Sequence, residues 1–289
     1  MSSTTSIMRS LGMGFVWVYT LVSLGCSKAE TRNPAEADPN STEQILPVNF
    51  DDRERPYRVF LTRILEEAEI PEELARHIQA VAVDGPAFLM DLLSALEGDP
   101  YLMALVDKEH ALAAKYEPDD LVELTGGSYR VSRQGLLLRR PAEMALEEMA
   151  AAAQVAGVML TVSSAYRSYS YQETVYARNV RESGQETADQ ESARPGHSQH
   201  QLGLVVDFGS IDDSFAETQA GRWIAEYARF FGWSLSYPQG YEALTGYRWE
   251  SWHYRYVGRE LTYFTDTYFK GIQQYALRFI YQWEKAGGL

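Results

Sequence analysis

The sequence predicts an α+β fold: a small central antiparallel sheet flanked by helices, with extra helices at the N- and C-terminal ends. Three observations point there. Short β-branched runs such as VMLTVSS, residues 158–164, alternate irregularly with longer segments of helical period. The strands are joined by hairpin-like returns, the pattern of helices packed on an antiparallel sheet. A hydrophobic content of 45% with 19 tyrosines gives the 289-residue chain material for a substantial core, and no internal repeat is present.

The elements follow in order. LGMGFVWVYTLVSLG, residues 11–25, is an uncharged apolar run behind Arg9. A spanning helix needs about 20 residues, so this length suits a signal-peptide core better. The run ends at Cys26, the single cysteine. A lone cysteine after Leu-Gly and before a polar stretch resembles a bacterial lipobox, with Ser23 standing where Leu is usual. A lipidated Cys26, an uncleaved anchor and an ordinary cleaved signal all imply export, and one cysteine excludes an intrachain disulfide. Residues 27–45 are polar, carry Pro34 and Pro39, and read as a flexible tether.

Residues 46–100 form a helical lead-in, whose pattern turns helical from about Pro56: YRVFLTRILEEAE, then PEELARHIQAVA with Pro71 in a first turn, then PAFLMDLLSALEG closing at Gly98. This lead-in is read as a packing layer on the main domain, with a separate binding role as the alternative. The main domain is expected over 101–265. RPAEMALEEMAAAAQVAG has Pro141 near its start, Gly157 at its end and an Ala142, Leu146, Met149, Ala153 stripe, as an amphipathic helix requires. SYQETVYARNVRESG predicts a helix opened by a Ser170–Glu173 capping box and closed by Gly184. Residues 185–197 predict a polar loop, Leu204 to Phe208 a strand, GRWIAEYARFFG a helix and SLSY a short strand. From Arg259 onward a stripe of Leu261, Phe264, Tyr268, Ile272, Tyr275, Phe279 and Trp283 predicts a C-terminal helix over 266–289. Core packing explains the stripe, and a partner or membrane surface is the other reading.

The net charge of −14, from 40 acidic and 26 basic residues, argues against nucleic-acid binding, which rests on phosphate neutralisation. It also disfavours attraction to an anionic membrane surface.

The chemistry is expected in GHSQHQLGLVVDF, residues 196–208. Asp207 interrupts an apolar strand, at a cost of several kcal/mol unless a cation or strong donors meet it. Of the five histidines, His77 and His110 read as packing or surface residues. A hydrolytic zinc site needs three protein ligands and an open position, and His200, Asp207 and His253 supply such a set. Two neutral imidazoles and one carboxylate leave a divalent ion with net positive charge, which draws the pKa of a coordinated water towards roughly 7. Glu250 stands three residues before His253. In a flat strand the two would face opposite ways, so WESWH is expected to bend, with Glu250 as general base then acid rather than ligand. His197 is not expected to bind the metal. Trp249, Trp252 and Tyr254 are read as cleft wall or as core.

Taken together, SSAYRSYSYQ (163–172), PGHSQHQLGLVVDF and TGYRWESWHYRYVG resemble the three signature blocks of the VanY-type D-alanyl-D-alanine carboxypeptidases. These belong to the wider LAS-type group of zinc peptidases, which includes L,D-carboxypeptidases and D-Ala-D-Ala dipeptidases. LVDKEHALAAKYEPDDLVEL (105–124) resembles the opening of the family's domain, so the likeness covers about 101–265. It implies a LAS/hedgehog-like fold, one Zn2+ per chain and a cell-wall stem-peptide substrate. The family pattern S-x-H-x6-D falls on Ser198, His200 and Asp207, and E-x-W-H falls on Glu250, Trp252 and His253. The resemblance implies His200, Asp207 and His253 as ligands, Glu250 as the base, and Arg167 as the group that binds the terminal carboxylate or the oxyanion. Gln172 and Ser198 are expected beside it. Release of C-terminal D-alanine is the leading expectation. L,D-cleavage and endopeptidase action are same-site alternatives, and a catalytically silent peptidoglycan-binding lipoprotein is the alternative of another class.

Overall fold

The computed structural model describes residues 51–84 and 86–288. The expected signal segment, Cys26 and the tether at 27–45 lie outside the described residues.

Helices α1 (Asp51–Glu67), α2 (Glu72–Asp84) and α3 (Ala87–Leu96) form where the apolar period placed them. Each buries one stripe: Leu61, Ile64 and Leu65, then Leu74 and Ile78, then Phe88 and Leu92. Glu72 and Glu73 sit in the first turn of α2, where carboxylates meet the positive end of the helix dipole. A short turn, α4 (Pro100–Met103), is capped by Asp99, whose carboxylate accepts from the Tyr101 N–H at 2.9 Å.

β1 (Leu121–Glu123) pairs antiparallel with β3 (Leu137–Arg139). The main sheet has five strands in the order β2 (Arg130–Val131), β4 (Thr161–Ser164), β5 (Val205–Phe208), β7 (His253–Tyr256), β6 (Trp233–Leu235). The expected antiparallel arrangement holds for three of its four pairings, whereas β2 and β4 run parallel. The exception has a cause: the chain between them includes α5 (Arg140–Val155), the kind of crossover a parallel pair needs. α5 carries Pro141 in its first turn and buries the expected Ala142, Leu146, Met149 and Ala153.

Three sequence expectations differ from the fold. Helix α6 (Tyr169–Ser183) is capped by Ser168, not Ser170. Ser168 has extended backbone and accepts from the Tyr171 N–H at 3.2 Å, while Ser170 already lies inside the first turn. Gly184, at φ +82°, closes α6 as expected. The polar loop at 185–197 contains a helix, α7 (Gln185–Glu191), which packs on α6 and buries Ala188; tertiary packing supplies what a polar seven-residue segment lacks on its own. Further on, α8 (Gln219–Tyr227) is capped by Thr218, and α9 (Glu242–Thr245) is a single turn. The C-terminal stretch is two helices, α10 (Arg259–Phe269) and α11 (Gln273–Lys285), because Lys270 and Gly271 both take positive φ.

Two cores result. One joins the main sheet to α5 and α8. The other joins α1, α2 and α3 to α10 and α11. Phe88 of α3 packs against Tyr268 and Phe279 with ring centroids 4.8 and 5.8 Å away. The C-terminal stripe is therefore core, and α1, α2 and α3 form one layer with α10 and α11. Among the described residues no single helix is long and apolar enough to cross a membrane.

Candidate metal centre

The site stands on the middle of the sheet. Asp207 on β5 lies directly opposite His253 on β7 in an antiparallel pair. On its other side Asp207 is registered with Ser164 of β4. His200 comes from the 3-10 turn Gln199–Leu202 that feeds β5. Gly203 ends that turn at φ +68°, and a Cβ there would lie 2.9 Å from Arg139 Cγ, so glycine alone suits both the turn and the close approach.

Ligand atoms of His200, Asp207 and His253 all fall within 4.8 Å of one another, and all three residues are buried. His200 Nε2 is 3.2 Å from Asp207 Oδ2, and His253 Nδ1 is 3.1 Å from Asp207 Oδ1. The far nitrogens set the tautomers. His200 Nδ1 is 2.7 Å from the Ala165 carbonyl, and His253 Nε2 is 3.4 Å from Gln199 Oε1. Each far nitrogen faces an acceptor and so carries the proton, which leaves a lone pair on each nitrogen turned towards Asp207. Lone pairs against a carboxylate are repulsive unless a cation lies between them. Asp207 Oδ1 indeed receives no hydrogen bond although it is fully buried. The donor set fits a divalent ion, and Asp207 thereby has the partner its strand position demands.

WESWH bends at Ser251 and Trp252, and the His253 N–H donates to Glu250 O at 3.2 Å. The bend brings Glu250 Oε2 to 3.4 Å from His253 Nδ1, on the metal side of the ring. Burial pushes the Glu250 carboxyl up to about 7, with nearby cationic groups opposing the rise. Arg167 follows β4. Its Nη1 donates to Gln172 Oε1 at 2.9 Å and its Nη2 to Ser164 Oγ at 3.2 Å. Gln172 is itself locked, its Nε2 donating to Ala193 O at 2.6 Å.

A cavity of about 230 Å³ gathers these groups: Arg167, Ser198, His200, Asp207, Glu250 and His253 all line it. Gln172 does not; it is buried behind Arg167 and holds the guanidinium. Trp252 lines the cavity while also belonging to the sheet core, whereas Tyr254 is core, packed on Phe208 with centroids 6.0 Å apart. Trp249 is half-buried. His197 turns away, its Nδ1 2.7 Å from Asp107 O, in a neighbouring hollow with Lys108, Asp189 and Arg194. His110 pairs with Asp107 at 2.8 Å, outside the cluster.

Sequence reasoning missed Tyr237, Tyr247 and Gln199. Tyr237 and Tyr247 stack with centroids 4.8 Å apart, and Tyr237 lies against the His253 ring at 4.7 Å. No periodicity marks either one. Gln199 lies inside the His200 block, so its place was visible, but its function depends on a strand far along the chain.

A buried pair of imidazoles and one carboxylate, with a second carboxylate and a fixed guanidinium in the same cavity, defines the site of a zinc metallopeptidase. Residues 135–259 match the family model VanY, D-alanyl-D-alanine carboxypeptidase. The chain belongs to this VanY-type family. It is 35% identical over 178 residues to YodJ of Bacillus subtilis (strain 168), covering 59% of this chain and 65% of that relative. It is 29% identical over 228 residues to a D-alanyl-D-alanine carboxypeptidase of Enterococcus faecalis (strain ATCC 700802 / V583), covering 73% and 80%. Among solved structures, the LdcB LD-carboxypeptidase is similar at 32% identity and a TM-score of 0.53, over 59% of this chain and 86% of that one. VanYB in complex with D-alanine-D-alanine gives 30% identity and a TM-score of 0.50, over 60% and 94%. A VanY D,D-pentapeptidase bound to Zn(II) gives 29% and 0.51, over 61% and 98%. The cofactor is zinc, and the sheet flanked by helices is the LAS fold.

Proposed function

We propose that this chain is a zinc carboxypeptidase that removes the C-terminal D-alanine from peptidoglycan stem peptides. The observation that carries the reading is one cavity holding a three-residue metal cluster, a carboxylate beside it and a guanidinium fixed opposite free space. His200, Asp207 and His253 hold the ion. When bound, Zn2+ supplies Lewis-acid polarisation of the scissile carbonyl and acidification of water. Glu250 takes a proton from the attacking water onto its carboxylate and returns it to the leaving amine. Its burial keeps that proton close to balance near neutral pH. Arg167 spends one donor on Gln172 and one on Ser164, which fixes its plane and leaves its remaining donors for a substrate carboxylate or the developing oxyanion. Ser198 lies beside that position, and Gln172 serves the substrate only through Arg167.

The relatives named for D-Ala-D-Ala cleavage support the D,D-reading. The likeness to an LD-carboxypeptidase, at slightly higher identity, favours L,D-cleavage as a second reading at the same site. A silent binding lipoprotein is disfavoured by the complete set of ligands, base and arginine. We place the enzyme outside the cytoplasm, tethered to the membrane by a lipid on Cys26 after signal cleavage; the apolar run before the single cysteine supports this. Peptidoglycan peptides and the membrane are then its partners, and nucleic acid is not.

Mass spectrometry of defined pentapeptide and tetrapeptide muropeptides incubated with the protein tests the specificity. Loss of one alanine from the pentapeptide alone supports the proposal, and loss from the tetrapeptide alone replaces it with L,D-cleavage. Cys26→Ala should release the protein from the membrane fraction; retention there rejects the lipid tether.

A further inference from the structure

The two glutamines that open α11 are both buried, Gln273 at 2% and Gln274 at 4% exposure, on a helix whose other inward residues are largely apolar. Buried amides must place their polar atoms, and these point away from their own helix towards the catalytic domain. Gln274 Nε2 donates to Asp107 Oδ2 at 2.7 Å. Gln273 Nε2 donates to the Ser234 carbonyl at 3.2 Å, at the end strand β6. Gln273 Oε1 lies 3.3 Å from Ser236 Oγ, and the same hydroxyl donates to Gln199 Oε1 at 2.7 Å. Gln199 Oε1 in turn faces His253 Nε2.

We infer that Gln273 is a positioning residue for the metal centre, acting through Ser236 and Gln199 on the second imidazole. The inference rests on His253 being a ligand. Gln273, anchored by its own bond to the Ser234 carbonyl, holds its oxygen against the Ser236 hydroxyl, whose single hydrogen goes to the nearer amide oxygen, that of Gln199. That contact fixes the Gln199 amide with its oxygen towards His253. An oxygen there keeps the imidazole proton on Nε2 and the lone pair of Nδ1 turned to Asp207. Were Gln199 to rotate and present its NH2 group, the proton would move to Nδ1 and the ligand would be lost. All four members, Gln273, Ser236, Gln199 and His253, are at most 4% exposed, so no bulk water substitutes for a missing link. The chain of contacts starts beyond residue 259, outside the segment matched by the family model. The C-terminal helix, part of the second hydrophobic core, thus takes part in the zinc site from outside the catalytic domain.

The test is zinc affinity of the purified protein, measured by competition with a chromophoric chelator, alongside thermal unfolding of the metal-free form. Partners of this kind are worth about 10- to 100-fold in metal affinity, so Ser236→Ala should weaken zinc binding about tenfold, and Gln273→Met by a comparable or smaller factor. In the double variant the loss should not exceed that of the worse single change, because both cut one chain of contacts. Leu277→Ala, one turn further along the same helix and fully buried in the helical core, should lower the melting temperature while leaving zinc affinity within twofold. Wild-type zinc affinity in folded Ser236→Ala and Gln273→Met overturns the inference, as does an equal loss in Leu277→Ala. If Gln273→Met fails to fold, Ser236→Ala decides alone. His253→Ala separates the two levels: wild-type zinc affinity there removes the ligand assignment itself.

Discussion

Glu250→Gln replaces one proton-carrying oxygen by an amide nitrogen and leaves the side-chain volume unchanged. Glu250 Oε2 approaches His253 Nδ1 to 3.4 Å without belonging to the three-residue cluster, so a neutral group of the same shape fits the cavity and removes no ligand. Zinc content of the purified variant should stay at one per chain. The catalytic loss should be large, since a positioned general acid–base group is worth about 10²- to 10⁴-fold, or about 3 to 5 kcal/mol of activation free energy. The fall should appear in kcat with KM little changed, because Arg167, the proposed partner of the substrate carboxylate, is untouched. Release of D-alanine from a defined pentapeptide, followed by a coupled D-amino-acid oxidase assay with metal analysis in parallel, measures both quantities. Turnover within tenfold of wild type, at full zinc occupancy, refutes the proton-transfer assignment. Loss of zinc refutes the claim that Glu250 stands outside the ligand set.

Four further outcomes follow from the same geometry. His200→Ala should leave the purified protein short of zinc, and metal analysis showing one zinc per chain would contradict its role as ligand. Arg167→Lys keeps the charge but loses the planar fork held by Gln172 and Ser164; kcat/KM should fall by about 10²-fold, the worth of roughly 3 kcal/mol for a charge-assisted pair, while zinc is retained. Phe279→Ala, in the helical core against Phe88, should cost about 3 to 5 kcal/mol of stability in denaturant melts and leave the metal in place. Asp107 gives a pH test. Burial would raise its carboxyl, but the backbone N–H groups of Glu109 and His110 and the His110 ring hold it below its ordinary value. A depressed folded pKa contributes stability that is present above the unfolded pKa and lost as pH falls through the folded one. Wild type should therefore lose more stability between pH 6 and pH 3 than Asp107→Asn, and parallel losses would show that the carboxylate is not the cause.

Much of this molecule was legible in one dimension. Helix positions followed from period and punctuation: Pro141 lies in the first turn of α5, Gly184 ends α6, and the Phe264, Phe279, Trp283 stripe is core. Asp207 in an apolar strand announced a cation because the cost of burying a lone carboxylate depends only on its immediate surroundings. His200, Glu250 and His253 were visible as residue types at meaningful spacing. Other features depend on groups far apart in the chain. The parallel pairing of β2 with β4, the helix at 185–191 and the break at Lys270–Gly271 reflect packing that local propensity does not encode. Gln172 looked like a substrate contact and instead holds Arg167, because the direction of a side chain is set by what surrounds it. Tyr237 and Gln273 touch the site only because the chain returns to it. Sequence by itself determined which chemical groups this protein possesses and which of them cannot be buried alone. The tertiary structure decided which nitrogen of each imidazole faces Asp207 and which residues hold it there, since hydrogen-bond partners are chosen by distance in space.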